Sequence, residues 1–271
     1  MTFQTKEVVV VPYQDIWKEQ FHFLALMLSS IVKPYAQAIE HVGSTSIVGC
    51  FAKPIIDVDI IVRQFHFDSI KNVIEDQGYV FRGDLGIPQR YAFSGPDVGF
   101  KYHLYVCIDE APSLKEHLLL RNYLLTHELA SDAYSTLKQQ LATTYRFDID
   151  SYIDGKSAFI QDTLIEARKH SPINRPMMER DIVEVRDLMK KYPHIGVRYA
   201  DSLEEFLQYP FPSPWVIEQD NRVLAVAFLD TTHDNQVVLQ GLLVDNNCQK
   251  FWIDELHKKI QEQALIFHMK I

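Results

Sequence analysis

Two aspartates in an apolar run, Asp57 and Asp59, are the strongest candidates for chemistry in this chain. Side chains alternate across a strand, so both carboxylates project from one face while Ile56, Val58 and Ile60 point to the other. An unpaired charge is costly to bury, so these two carboxylates are expected to have a positively charged partner. Mg²⁺ is a suitable one, because it prefers oxygen ligands from one or two carboxylates together with substrate phosphates. The run therefore predicts a strand on which Asp57 and Asp59 bind Mg²⁺.

A turn of small residues precedes the acidic strand and is a candidate anion site. Gly43, Ser44 and Thr45 lie at its start, within the segment GSTSIVGC. A helix that began here would aim backbone N–H groups at a phosphate. A Ser/Thr-rich turn without a ligand is the alternative. The neighbouring aspartates favour phosphate binding.

The spacing of these residues resembles a superfamily signature. Val42-Gly43-Ser44, twelve residues and then Asp57-Val58-Asp59 are similar to the hG[GS]…DhD pattern of nucleotidyltransferases. The longer string HVGSTSIVG…AKPIIDVDI resembles the narrower GrpB (UPF0157) family, over about residues 6–168. The resemblance implies that Gly43, Ser44 and Thr45 hold a triphosphate and that the aspartates hold metal. It also implies a phosphate contact for Lys53, which Pro54 biases toward an extended conformation.

The segment from Lys101 to Ile108 alternates with period two and predicts a strand on which His103, Tyr105 and Cys107 share one face. Active nucleotidyltransferases commonly carry a third acidic residue on such a strand. Here the sequence YHLYV, which resembles a GrpB segment, offers His103 instead. A neutral imidazole can bind metal or act as a base, so His103 is a candidate catalytic residue. A hydrogen-bonded structural histidine is the alternative.

The chain from Ser113 to about Arg168 predicts helices packed against the sheet. It resembles the end of GrpB proteins, in which Arg121, Lys138 and Lys156 are the polar matches and nucleotide contacts are implied. A solvated helix face is the alternative for the two lysines. Asn122 stands where the family pattern has aspartate.

The predicted fold is α/β (α+β), with a nucleotidyltransferase-like mixed sheet and flanking helices in residues 1–170. Residues 171–176 contain two prolines and predict a linker. Residues 177–271 resemble an incomplete GNAT acetyltransferase domain. The glycines of the GNAT pyrophosphate loop are missing from residues 249–254, so acetyl-CoA binding is not expected. Glu218 falls in a predicted hairpin and is expected to be exposed.

Composition limits the partners of the protein. The net charge of −9 argues against nonspecific nucleic-acid binding, which needs a basic surface. Three widely spaced cysteines imply neither disulfides nor a zinc site. The sequence has no signal-peptide pattern and no apolar run long enough for a membrane, so a soluble cytoplasmic protein is expected.

The sequence thus predicts a metal-dependent nucleotidyltransferase that moves an NMP group from an NTP to an acceptor. The acceptor, the base preference and the oligomeric state stay open. A nucleotide-binding or regulatory module without turnover is the alternative. Acetyl transfer is a third possibility, against which the glycine-free loop argues.

Overall fold

The computed structural model describes residues 7–192 and 203–270, which form two β-sheets with helices packed on them. The N-terminal half contains, in chain order, α1 (Ile16–Val32), β1 (Ala36–Val42), β2 (Ile55–Val62), α2 (Phe67–Asp76), β3 (Val80–Phe81), β4 (Arg90–Ser94), β5 (Lys101–Ile108), α3 (Pro112–Thr126), α4 (Glu128–Thr144), α5 (Ile149–Asp154) and α6 (Ser157–His170). The C-terminal half contains β6 (Ile173–Pro176), α7 (Ile182–Lys191), α8 (Leu203–Phe206), β7 (Trp215–Gln219), β8 (Arg222–Thr231), β9 (Val237–Val244) and α9 (Lys250–Ile266).

The first sheet has the order β1-β2-β5-β4-β3 and is mixed, because β2 runs parallel to β5 and antiparallel to β1. The prediction of an α/β fold with a mixed sheet and flanking helices is confirmed. β2 lies between β1 and β5, and its residues Ile56, Val58 and Ile60 are almost fully buried. Burial of both faces explains why this strand reads as a nearly continuous apolar run.

Helix α1 covers one face of the first sheet. Its apolar residues recur at helical spacing and bury Trp17, Phe21, Leu24 and Leu28, each at most 1% exposed. On the opposite face lies α3, whose Leu114 and Leu118 are buried. The carboxylate of Asp59 points toward this second face, as its contact with His117 of α3 shows.

The second sheet is antiparallel and has the order β6-β7-β8-β9. Its edge strand β6 occupies most of residues 171–176, so the linker predicted there is corrected to a strand. Proline is tolerated on an edge strand, and Pro176 ends β6 opposite Trp215. The domain limits at residues 170 and 177 stay a prediction.

The two halves share a hydrophobic core, which includes Trp215, Leu256 and Phe267 together with side chains of the first sheet. Gln263 of α9 also pairs with the free edge of β1. Its Oε1 accepts from the Ile39 N–H at 2.9 Å, and its Nε2 donates to the Ile39 carbonyl at 2.8 Å. These bonds satisfy backbone groups that an exposed edge strand would leave unpaired.

Among the helices described, none combines the length and the apolar character needed to span a bilayer.

Candidate functional site

Asp57 lies between the Gly43 turn and β5. Its Oδ1 is 2.9 Å from His103 Nδ1, and the two residues are directly paired in the β2–β5 register. Gly43 has φ +72° and packs so closely on Asp57 that a Cβ there would overlap the carboxylate. Burial opposes ionisation of Asp57, but the His103 hydrogen bond and charge outweigh it and lower the pKa of this carboxyl group. His103 therefore lies on the predicted face, in contact with one of the two predicted carboxylates.

Asp59 is in a different environment from Asp57. Its residue is 0% exposed, whereas the Asp57 side chain is 29% exposed. His117 of α3 places its Nδ1 2.7 Å from Asp59 Oδ2. Burial lowers the pKa of His117, but the Asp59 carboxylate reverses this and leaves the pKa raised. Asp59 is thus a buried carboxylate held by a histidine.

Protein ligands for a metal are few at this site. Within residues 7–192 and 203–270, no group of three or more His, Cys, Asp or Glu side chains is placed to hold a metal ion. Asp59 Oδ1 is buried and accepts no hydrogen bond from a nitrogen or oxygen of the described residues. The Cys107 thiol lies beside it, and burial together with Asp59 raises the pKa of that thiol. Asp57 and Asp59 are the two carboxylates that the sequence assigns to Mg²⁺, and their binding of Mg²⁺ stays a prediction.

Three lysines from separate elements converge beside the turn, and we name Lys53, Lys138 and Lys156 the lysine cluster. Lys53 Nζ and Lys156 Nζ lie 5.9 and 4.5 Å from the centre of the Tyr152 ring. Lys138 Nζ lies 4.1 Å from the centre of the Tyr134 ring. The turn is adjacent to the cluster, because Ser44 forms a hydrogen bond with the Tyr134 hydroxyl and partly offsets the rise in pKa that burial causes there.

Few negatively charged groups lie near the ammonium groups of the lysine cluster. Burial lowers the pKa of all three ammonium groups, and that of Lys156 falls to about 8 through burial and through repulsion by Lys53 and Lys138. In the described structure, Asp57 is the only carboxylate that counters this charge. Lys138 is 1% exposed, and its Nζ donates to Cys50 Sγ at 3.1 Å. Such a concentration of cations, with Lys138 buried and Lys53 and Lys156 half-buried, favours an anion nearby.

The structure places two predicted contact residues outside the lysine cluster. Thr45 is buried, donates to the Ile55 carbonyl at 3.2 Å and lies 3.0 Å from His41 Nε2. Arg121 is 7% exposed and donates to Glu40 Oε2 at 2.6 Å. Both side chains therefore support the ends of β1 and β2, because their polar groups already have protein partners.

Sequence reasoning missed His117 and Glu40. Glu40 is paired with Asp59 across β1 and β2, and it is 1% exposed. Helix α3 supplies one base to each acid, His117 to Asp59 and Arg121 to Glu40. The spacing of these two bases, four residues apart on one helix face, is a signal that could have revealed the pairing.

The C-terminal half corrects a further expectation. Glu218 is 2% exposed rather than solvated, because Arg175 Nε donates to it at 2.6 Å and Lys115 of α3 also binds it. The glycine-free segment of residues 249–254 opens α9, with Phe251 half exposed. The absence of acetyl-CoA binding and the likeness to GNAT domains stay predictions.

Comparison with known proteins covers the N-terminal half. UPF0157 protein YqkA of Bacillus subtilis is 32% identical over 168 residues, which are 62% of this chain and 49% of that protein. The match thus spans about half the length of YqkA. Glutamate-rich protein GrpB of Alkalihalophilus pseudofirmus is 29% identical over 171 residues, 59% of this chain and 95% of that protein.

A solved structure matches the same part of the chain. The crystal structure of conserved protein GrpB from Enterococcus faecalis has 36% sequence identity and a TM-score of 0.53, covering 59% of this chain and 96% of that one. The family model described as GrpB protein matches residues 7–166. Through these residues, which carry the aspartates, the turn and the lysine cluster, the chain belongs to the GrpB family.

Proposed function

We propose that the N-terminal half binds a nucleoside triphosphate with Mg²⁺ and transfers its nucleotidyl group to an acceptor. The observation that carries the proposal is the lysine cluster, which lies beside Asp57 and the Gly43–Ser46 turn with little negative charge of its own. Lysine is a common phosphate ligand that acts as a point charge. The phosphates of a nucleotide would supply the negative charge that the cluster lacks.

In this proposal the aspartates bind the metal, and the lysine cluster and the turn contact the phosphates. Asp57 and Asp59 would hold Mg²⁺, which when bound would stabilise charge on the phosphates and on the leaving pyrophosphate. Lys53, Lys138 and Lys156 would orient the β- and γ-phosphates. The turn would contribute backbone N–H groups, since Gly43 allows a close approach.

In this proposal His103 would act as the general base that takes the proton of the acceptor. In its neutral form, an Nδ1–H that donates to Asp57 leaves Nε2 as a free acceptor. The His103 side chain is 47% exposed, so an acceptor hydroxyl can reach it. The acceptor oxygen would attack the α-phosphorus, its proton would pass to Nε2, and the bond to the β-phosphate oxygen would break to release pyrophosphate.

A second candidate function is nucleotide binding without turnover. The observation in its favour is Asp59, which is 0% exposed and already paired with His117. A carboxylate in this state needs a local rearrangement before it binds metal. Under this reading the lysine cluster would still bind the triphosphate, and Asp57 alone would contact Mg²⁺.

Calorimetry with ATP, GTP, CTP and UTP, each with and without Mg²⁺, tests binding. Lys156→Met should weaken binding of the preferred NTP about 10- to 100-fold, because hydrogen bonds to charged groups contribute about 1.5–3 kcal/mol. Asp57→Asn should remove the Mg²⁺ dependence. Lys258→Met, at a side chain that is 69% exposed on α9, is the matched control and should change affinity less than twofold. Unchanged affinity in Lys156→Met would refute the proposed phosphate site.

Transfer of label from α-³²P-NTP to molecules of a bacterial extract, with release of pyrophosphate, separates the two candidates. His103→Ala should abolish this transfer while leaving NTP affinity within threefold. Binding without any transfer, in the wild type and in all fractions of the extract, would favour the nucleotide-binding module.

A further inference from the structure

Arg90 of β4 brings a positive charge to the face of the first sheet on which His103 lies. It is paired with Cys107 of β5, and paired residues of neighbouring strands project to the same face. Cys107 and His103 are an even number of residues apart on β5, so they share that face. Because β5 lies between β2 and β4, Arg90 and Asp57 flank His103 from opposite sides.

The Tyr105 ring holds the Arg90 guanidinium close to His103. Arg90 Cζ is 4.5 Å from the centre of the Tyr105 ring, and that centre is 6.2 Å from the centre of the His103 ring. Stacking on an aromatic face orients the planar guanidinium. Burial and the Asp57 carboxylate raise the pKa of the Tyr105 hydroxyl, so this side chain is neutral and supplies no counter-charge.

The charge of Arg90 is uncompensated. The two carboxylates of this face are paired elsewhere, Asp57 with His103 and Asp59 with His117. Among the described residues, no carboxylate forms an ion pair with Arg90 and no acceptor takes a hydrogen bond from its side chain. Its Nε is buried, whereas Arg90 as a whole is half-buried, so the two terminal nitrogens are the ones open to a ligand.

Arg82, just after β3, adds a second cation to this face. Its Nε donates to Ser94 Oγ at 2.8 Å, and Ser94 lies an even number of residues from Arg90 on β4, so the contact is made on the face of Arg90. Arg82 is exposed and forms no ion pair with a described residue. Asp84, two positions along the chain, accepts from a backbone N–H of its own loop instead. We name Arg82 and Arg90 the arginine pair.

A phosphate monoester is the anion that suits the arginine pair. The arginine fork matches phosphate with two parallel N–H donors. A phosphate monoester carries about −1.5 to −2 charges at neutral pH, so two cations balance it better than they balance a carboxylate. His103 is 47% exposed and lies between the arginine pair and Asp57, so a hydroxyl of the same ligand can reach its Nε2.

We propose that the acceptor is a small hydroxyl compound with a phosphate monoester, which the arginine pair binds while His103 contacts the hydroxyl. This inference rests on the nucleotidyl transfer proposed above and adds the class of the acceptor. The acceptor oxygen would bond to the α-phosphorus, its proton would pass to His103, and pyrophosphate would leave. The acceptor's own phosphate keeps all its bonds and only holds the molecule in place.

Inorganic phosphate is the probe for the arginine pair, in calorimetry on the full chain saturated with Mg²⁺ and the α,β-imido analogue of the preferred NTP. One further phosphate should bind. Arg90→Met should weaken it about 10- to 100-fold, because hydrogen bonds to a charged group are lost. Arg90→Lys keeps the charge without the fork and should give an intermediate affinity. All three proteins should bind the NTP analogue equally.

Two further variants support this titration. Arg82→Met, at an exposed side chain, should also weaken phosphate binding, and it serves as the test if thermal unfolding shows that Arg90→Met is not folded. Arg222→Met is the matched control, because Arg222 is exposed on β8 and has no ion pair with a described residue. It should bind phosphate as the wild type does.

The acceptor itself is tested with the small-molecule fraction of a bacterial extract. Treatment of this fraction with alkaline phosphatase, which is removed before α-³²P-NTP is added, should reduce transfer of label about tenfold or more, as expected for loss of charged hydrogen bonds. Untreated fraction with added inorganic phosphate is the control. Arg90→Met should need about tenfold more of the untreated fraction for half-maximal transfer, with a similar maximal rate.

Phosphate binding that is equal in the wild type, Arg90→Met and Arg82→Met would overturn the proposal, as would transfer that phosphatase treatment leaves unchanged. Acetate that competes as well as phosphate, or labelled product that ribonuclease destroys, would also overturn it. Arg90-dependent phosphate binding by a protein that binds no NTP would refute nucleotidyl transfer while supporting the anion site. NTP binding and transfer without Arg90-dependent phosphate binding would refute only the anion site.

Discussion

Each half of the protein buries a group of charged side chains, but the two groups are built differently. In the C-terminal half, Arg175 is 2% exposed and binds both Asp181 and Glu218, with nitrogen–oxygen distances of 2.6 Å to each. In the N-terminal half, the lysine cluster has, among the residues that the structure describes, only the Asp57 carboxylate to offset its charge. A balanced group is explained by the fold alone. An unbalanced group can attract a negatively charged ligand, and this difference supports a site at the lysine cluster.

The largest expected effect concerns the balanced group. Arg175→Met should lower the free energy of unfolding by about 3–5 kcal/mol, because it leaves buried carboxylates without their partner. Urea denaturation followed by circular dichroism measures this change. Arg180→Met is the matched control, since its side chain is 45% exposed and contacts the same Glu218, and it should cost less than about 1 kcal/mol. Equal effects for the two variants would show that Arg175 and its carboxylates do not act as a buried, coupled group.

The unbalanced group should respond in the opposite direction. Lys138 is 1% exposed and has no carboxylate partner among the described residues, so Lys138→Met should raise the free energy of unfolding of the ligand-free protein by about 1–3 kcal/mol. The same urea experiment measures it, and a parallel calorimetric titration should show weaker NTP binding. Lys258→Met on the exposed face of α9 should change stability by less than about 0.5 kcal/mol. A destabilised Lys138→Met protein would mean that the cluster has a structural function instead.

A third prediction uses the pKa of Lys156, which is about 8. Phosphate binding favours the protonated ammonium, so NTP affinity should be nearly constant below this pH and fall above it, by up to about tenfold per pH unit. Calorimetry between pH 7 and 9.5 checks this. Lys156→Arg keeps its charge throughout that range and should flatten the profile. A wild-type profile that is equally flat would exclude Lys156 as the titrating contact.

The sequence predicted the fold of the N-terminal half well, because its signals are local. Alternation placed His103 on the face of Asp57, and the turn of small residues correctly preceded the acidic strand. The segment of residues 171–176 was misread, since two prolines indicate a break as readily as the edge strand that β6 forms. The sequence also predicts a short helix from Ser202 to Gln208, of which the structure describes Leu203–Phe206, and residues 193–202 lie outside the described part of the chain.

The site was predictable only in part, because burial and pairing depend on distant contacts. No local signal distinguishes Lys138, which lies in the lysine cluster, from Arg121, which neutralises Glu40 some 81 residues away in the chain. Glu218 was expected at the surface for the same reason, since its partners Arg175 and Lys115 come from other elements. Hydrophobic periodicity reports which residues are buried, but it does not report which charges meet.

The smallest expected effect tests the pair that separates the two candidate functions. The Asp59 carboxylate raises the pKa of His117 above its ordinary value of 6.5. The stabilisation that the charged His117–Asp59 pair provides should therefore be fully present below about pH 6.5 and be lost as the pH rises through the pKa of His117 in the folded state. His117→Gln retains an N–H donor but does not titrate, so it should remove the pH dependence with a loss of only about 0.5–1.5 kcal/mol at pH 6. Urea denaturation at pH 6 and pH 8 measures the difference in midpoint between the variant and the wild type, which should be smaller at pH 8.

A difference in midpoint that does not change with pH would mean that His117 is neutral beside Asp59. A neutral histidine would leave the Asp59 carboxylate with a full negative charge to offer Mg²⁺, and this outcome would strengthen the case for catalysis over binding alone.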